Sequence, residues 1–387
     1  MKKQNGGNAH FSFTSWQQTC LITSTLIGVG VLTLPRTATS RLLEAGWIVP
    51  ILGSIGAYFA LWMITKLSRR FPGMTIIEYS PLVWASPENP RLGKILSLPW
   101  IFIYLMFLYV ISAISSRIFG EVVVTSVLLN TPLEVIIITM FLLAYFLCLH
   151  EVEVVARVNE ILFPLILLPV LFIAFASFQK AEWNHLFPLV RVPGKSMLEG
   201  ALEATYSFSG YEIMMIYFAF AQRTSNKEKA GFFGILITTV VYTLIVVAGI
   251  TVFGYEELQR VTWPTLELVK TTQVPGLILE RLESAFLAVW VAAVFTTIAN
   301  CYYTFIYGLR QLFGKGIVFQ RIAALVLFIP LFFIALWPQN IVEIFKVSSL
   351  IGLGGLFLNL GIPLIYWLVL FLRGKVWDES KERKADG

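Results

Sequence analysis

Two short segments carry polar chemistry where an apolar run should continue. One is Leu26-Ile27-Gly28-Val29-Gly30-Val31-Leu32-Thr33-Leu34-Pro35, with two glycines one residue apart. The other is Ala204-Thr205-Tyr206-Ser207-Phe208-Ser209-Gly210-Tyr211-Glu212, rich in hydroxyls and carrying a carboxylate. Each glycine weakens a helix by about 1 kcal/mol relative to alanine, and an ionisable group at membrane depth is costly enough that function is its default reading. A helix interrupted here frees N–H groups at the start of its outer half and carbonyls at the end of its inner half. The first can hold a carboxylate and the second an ammonium. An amino acid offers both. Close packing is the competing account of Gly28 and Gly30, but packing motifs favour a four-residue spacing that Gly28-Val29-Gly30 lacks. For Glu212 the competing account is a carboxylate paired for structure alone. Glu203 and Glu212 are nine residues apart, on opposite faces of an unbroken helix at about 100° per residue. A break at Ser209-Gly210 removes that conflict.

Further polar groups read two ways. Thr296, Thr297 and Asn300 share one helical face and either contact a ligand or ion, or bond to neighbouring helices. Tyr104, Leu108 and Ser112 recur every fourth residue; Leu108 is placed on the pocket wall and Tyr104 in the core. Arg117 and Glu121 are spaced to pair. Gly352, Gly354, Gly355 and Asn359 suit close packing or a hinge. His150-Glu151-Val152-Glu153 with Arg157 and Glu160 reads as a solvated connection, or as a surface that docks a partner. The three cysteines (Cys20, Cys148, Cys301) and three histidines (His10, His150, His185) are scattered, which predicts no disulfide framework, metal site or cofactor. A membrane enzyme is disfavoured, because no apolar run holds a nucleophile beside a base.

The elements that must position these groups are long apolar helices. Of 387 residues, 57% are hydrophobic and 13% charged, against about 45–50% and about 25% in soluble domains. A crossing needs about 20 apolar residues. Ten candidates fall near 14–35, 46–66, 95–120, 133–149, 161–178, 198–220, 231–253, 284–307, 317–336 and 345–371. The expected fold is all-α, a single integral membrane domain over 1–387. The net charge of +6 reflects membrane topology rather than nucleic acid binding, since the basic residues lie between apolar runs. With the N-terminus inside, nineteen lysines and arginines fall on inner segments and eight on outer ones. The positive-inside rule then puts both termini in the cytoplasm. Segment 71–94 suits a short interfacial helix at Thr75–Ser80, segment 254–281 an outer cap, and 375–387 a polar tail. Each interrupted helix opens a block of five crossings, about 13–178 and about 197–372. An odd number inverts the second block, the arrangement in which discontinuous helices meet at mid-membrane around a ligand.

Ile27-Gly28-Val29-Gly30-Val31 followed by Leu34-Pro35 resembles the first-helix signature of amino acid, polyamine and organocation transporters, and Phe208-Ser209-Gly210-Tyr211-Glu212 resembles their sixth-helix element. The whole chain is most similar to the spore germination permease family, the B subunits of endospore nutrient germinant receptors. Val31-Leu32-Thr33-Leu34-Pro35-Arg36, Phe71-Pro72-Gly73-Met74-Thr75 through Glu78-Tyr79, and Asn184-His185-Leu186-Phe187-Pro188-Leu189 carry that likeness. The resemblance implies a LeuT-like 5+5 inverted repeat with discontinuous helices 1 and 6. It implies a germinant amino acid or other nutrient as ligand, A and C subunits as partners, and the inner spore membrane as location. Val29, Gly30 and Val31 match the backbone that receives a ligand carboxylate, Tyr206 an aromatic that covers the ligand, and Glu212 a carboxylate tied to proton-linked gating. The fifth span lacks the lysine of some proton-coupled relatives, which leaves ion coupling open. The expected site is therefore Gly28, Val29, Gly30, Val31, Leu108, Tyr206, Phe208, Ser209, Gly210, Thr296, Thr297 and Asn300, with Glu212 gating.

Overall fold

A computed structural model describes residues 13–85, 89–189, 194–222, 224–271 and 282–373. Within a bilayer every backbone N–H and C=O must find a partner in its own segment, which favours helix. Among the described residues the β structure is one isolated bridge. The helices are α1 (Ser15–Leu26), α2 (Gly30–Leu42), α3 (Val49–Arg70), α4 (Ile76–Trp84), α5 (Pro90–Ser126), α6 (Leu133–Cys148), α7 (Val152–Ser177), α8 (Gly194–Ser207), α9 (Met214–Tyr217), α10 (Lys227–Arg260), α11 (Pro264–Thr271), α12 (Leu282–Leu312), α13 (Ile317–Leu336), α14 (Ile341–Leu356) and α15 (Ile362–Leu372).

Among the described residues, seven stretches are each long and apolar enough to cross a membrane. The first of these runs from α2 through α3 and holds parts of two crossings: α2 joins α1 in one interrupted crossing and α3 is the next. With α8 and α9 as a second interrupted crossing and the 16-residue α6, the crossings number ten. The tenth crossing joins α14 to α15 through a π-helical turn, Phe357–Gly361. The face at which α1 begins is called the inner face below. α12 packs along α5, α3 along α8, and α1 along α10.

Several boundaries differ from the sequence reading. The first crossing continues to Leu42, with Pro35 inside α2. A proline cannot donate to the carbonyl four residues earlier; the Thr265 hydroxyl of α11 donates to Val31 O instead, at 2.7 Å. The fifth crossing starts at Val152, not near 161. Val152, Val155, Ala156, Asn159 and Phe163 form one buried stripe at helical spacing, which outweighs Arg157 and Glu160. The short link before it is exposed at His150 and Glu151, as expected of a solvated connection, and is also held to the rest of the chain. Gln320 Nε2 donates to Cys148 O at 2.9 Å and to His150 O at 3.1 Å, and Arg310 pairs with Glu151 at 2.9 Å.

The short helix expected after residue 71 is α4, opened by a capping box in which Glu78 accepts the Thr75 N–H at 2.9 Å. On the outer side α10 runs to Arg260 through a kink at Gly254, where φ is +73°. α11 then packs on α2. Pro87, residues 272–281 of the expected outer cap and the tail 375–387 lie outside the described residues.

Candidate functional site

The first break falls between Leu26, where α1 ends, and Gly30, where α2 begins. Gly28 admits no side chain, since a Cβ there would lie 2.1 Å from Thr297 Oγ1. The carbonyls freed at the end of α1 meet hydroxyl donors from two neighbouring crossings. Thr296 donates to Ser24 O at 2.9 Å, Thr297 to Thr25 O at 2.9 Å, and Tyr242 to Leu26 O at 2.6 Å. Trp290 Nε1 reaches Gly28 O at 3.3 Å. Asn300 donates to Thr25 Oγ1 at 2.8 Å and exchanges two 2.8 Å amide bonds with Asn159 of α7. The polar face of α12 therefore bonds to the broken helix. Leu26 O also accepts the Gly28 N–H at 2.9 Å, whereas Ser24 O and Thr25 O each keep a second lone pair that an ammonium could share with the hydroxyls. At the other side of the break, no side chain caps the start of α2, whose N-cap is Val29.

The second break lies between Ser207 and a 3-10 turn, Tyr211–Ile213, that leads into α9. Gly210 has φ +132°, open to glycine and strained for other residues. Across this turn the Glu212 carboxylate folds back. One oxygen accepts the Gly210 N–H at 2.7 Å and the other the Ser209 hydroxyl at 3.0 Å. Asn359, on the π-helical turn of the tenth crossing, donates to Ser209 Oγ at 3.2 Å. Glu212 is 1% exposed. Tyr104 donates its hydroxyl to Glu212 O at 3.0 Å, a backbone-capping role beyond core packing.

Between the breaks is a cavity of about 380 Å³ that runs along the outer half of the first crossing. At the break end its wall includes Thr25, Val29, Gly30, Ser207, Ser209 and Thr297. Further out it includes Arg36 and Thr37 of α2 and Ile111, Ile114, Ser115 and Ile118 of α5. Phe345, Ser348, Ser349 and Gly352 of α14 close the remaining side.

Of the residues expected to form the site, Val29, Gly30, Ser209 and Thr297 lie on the wall. Gly28, Val31, Phe208, Gly210, Thr296 and Asn300 surround the breaks, while Glu212 stands behind Ser209. Leu108 is fully buried, and the wall from its helix begins a turn further out at Ile111. The Tyr206 side chain lies outside the described residues. Sequence reasoning missed Arg36 and the α14 face. Residues 345, 348, 349 and 352 do follow the i, i+3, i+4, i+7 pattern of a single helical face, a signal within reach.

At the inner face the two interrupted crossings are clasped together. Phe13 donates to Phe220 O at 2.7 Å, Gln222 donates to Phe13 O at 3.0 Å, and Gln18 Nε2 bonds both Phe13 O and Ser225 Oγ at 3.1 Å.

A family model described as "Spore germination protein" matches residues 12–344. The chain belongs to this family. Its relatives include the spore germination protein YndE of Bacillus subtilis (strain 168), 28% identical over 358 residues, spanning 92% of this chain and 95% of that one. The B. subtilis spore germination protein B2 is 26% identical over 366 residues, covering 94% and 96%. Among solved structures, MhsT in complex with L-phenylalanine aligns with a TM-score of 0.60 at 12% identity, over 95% of this chain and 99% of that one. A substrate-bound, outward-open Na+-coupled sialic acid symporter aligns at 0.62 and 13%, over 92% and 80%. At these identities the likeness concerns the fold. The protein is an all-α polytopic membrane protein with a LeuT-like fold, a germination protein of transporter architecture.

Proposed function

We propose that this chain is the amino-acid-sensing membrane subunit of a spore nutrient germinant receptor, binding a small germinant amino acid between its two helix breaks. The observation that carries this reading is the cavity bounded by Val29 and Gly30 at the uncapped start of α2 on one side and by Ser207 and Ser209 on the other. The start of a 13-residue helix offers free N–H groups and the positive end of its dipole to a carboxylate. Occupancy shifts the protein between two states by differential affinity. Glu212, tied to the cavity wall by Ser209 and to the tenth crossing by Asn359, is the gating group of this reading. A and C subunits pass the response on, in the inner spore membrane, with both termini on the cytoplasmic side.

The test is thermal stabilisation of the purified chain by a panel of amino acids, wild type beside Gly30→Trp. A side chain at position 30 starts 3.1 Å from the Tyr242 hydroxyl, and an indole there fills the cavity. A shift in wild type that Gly30→Trp abolishes supports the site; no shift in wild type, or an equal shift in both, contradicts it. A second reading, a proton- or ion-coupled amino acid permease, draws support from the transporter fold. Gradient-driven accumulation by the chain alone in proteoliposomes would favour the permease, and binding without uptake the sensor.

A further inference from the structure

Arg36 lies six residues outward of Gly30 on α2, about 9 Å along the helix axis at about 1.5 Å per residue. Its guanidinium sits 5.0 Å from the centre of the Phe345 ring. That contact fixes the group in place and leaves its charge intact. Among the described residues no carboxylate pairs with it, and none lines the cavity. The other polar side chains of the outer wall are hydroxyls, those of Thr33, Thr37, Ser115, Ser348 and Ser349. The Ser348 oxygen is closed to solvent and has no hydrogen-bond partner. Glu212 sits outside the wall, with both oxygens already engaged by Gly210 and Ser209. The cavity therefore carries a full positive charge at its mouth and the partial positive charge of the α2 start at its floor.

We propose that Arg36 sorts ligands by charge, so that the cavity takes zwitterionic or anionic amino acids and turns away net cations; the proposal rests on the cavity being an amino-acid site. A neutral amino acid places its carboxylate at the start of α2 and brings no further charge to the mouth. A lysine bound the same way carries its side-chain ammonium toward Arg36. Two like charges sharing one partly screened cavity repel strongly enough to lower affinity at least about tenfold.

The experiment is titration of the purified full chain, read by thermal stabilisation, with the neutral amino acid that stabilises it most and with glutamate, lysine and ornithine. In wild type, the neutral ligand binds at least about tenfold tighter than lysine or ornithine. Arg36→Lys keeps that ratio. Arg36→Gln narrows it to about threefold or less by improving the cations, because the repulsion is gone. Thr33→Glu sets a carboxylate one turn below Arg36 and narrows the ratio in the same way without removing the arginine, so the test survives if Arg36→Gln does not fold. Lysine binding wild type as tightly as the neutral ligand overturns the charge filter, as does an unchanged ratio in both Arg36→Gln and Thr33→Glu. If no amino acid of any charge stabilises wild type, the amino-acid reading itself falls, and the filter with it.

Discussion

A methyl group at position 28 would overlap the Thr297 hydroxyl, so Gly28→Ala forces the first break away from α12. Overpacking of this kind costs about 1–3 kcal/mol. The melting temperature of Gly28→Ala is expected to fall, and Gly28→Ala with Thr297→Ala to recover part of the loss, because the two side chains occupy one space. Additive losses would show that the contact is not the cause. Glu212→Gln preserves shape and still accepts the Gly210 N–H. It is expected to bind amino acid within a few-fold of wild type while spores carrying it fail to germinate. Loss of binding in a folded Glu212→Gln protein would make the carboxylate a ligand contact instead of a gate. The glycines and Glu212 were legible in the sequence because each is out of place in an apolar run. The partners of the freed α1 carbonyls were not. Thr296, Thr297 and Tyr242 lie more than 200 residues away, and only packing brings them to Ser24, Thr25 and Leu26.

At the scale of elements, the clasp ties the start of α1 to the end of the sixth crossing at the inner face, while the cavity follows the outer half of the first crossing. Gln18→Leu removes two of the clasp's hydrogen bonds, those to Phe13 O and Ser225 Oγ. In that background a Ser225→Cys thiol is expected to react faster with a maleimide than in the Gln18 parent. Equal rates would show that the backbone bridge at Phe13 holds the clasp alone. The interrupted crossings could be placed from sequence because glycine and hydroxyl content falls where the apolar run should be densest. The start of α7 could not be placed, because Arg157 and Glu160 dilute the apolar average while the buried stripe of Val155, Ala156 and Asn159 depends on a neighbour the sequence does not show. The α14 face was legible as a single helical stripe, but that the stripe meets a cavity shows only when α2 and α5 are set opposite Ser348 and Ser349.

For the whole molecule, the proposed topology puts both termini in the cytoplasm, the side that an excess of lysine and arginine on one set of loops favours. Cys20, Cys148 and Cys301 are all buried and give little background to thiol labelling. A membrane-impermeant maleimide on intact cells is expected to label Asn130→Cys and spare Lys315→Cys; the reverse pattern would invert the topology. In the proposed function, unwound peptide at the two breaks holds a zwitterion. The most direct measurement is an experimental structure of the purified chain with the amino acid that stabilises it. Ligand density is expected between the breaks, its carboxylate within hydrogen-bond distance of the backbone N–H groups of Val29, Gly30 and Val31. Ligand density elsewhere, or a first crossing that runs unbroken through residues 26–30, would contradict it.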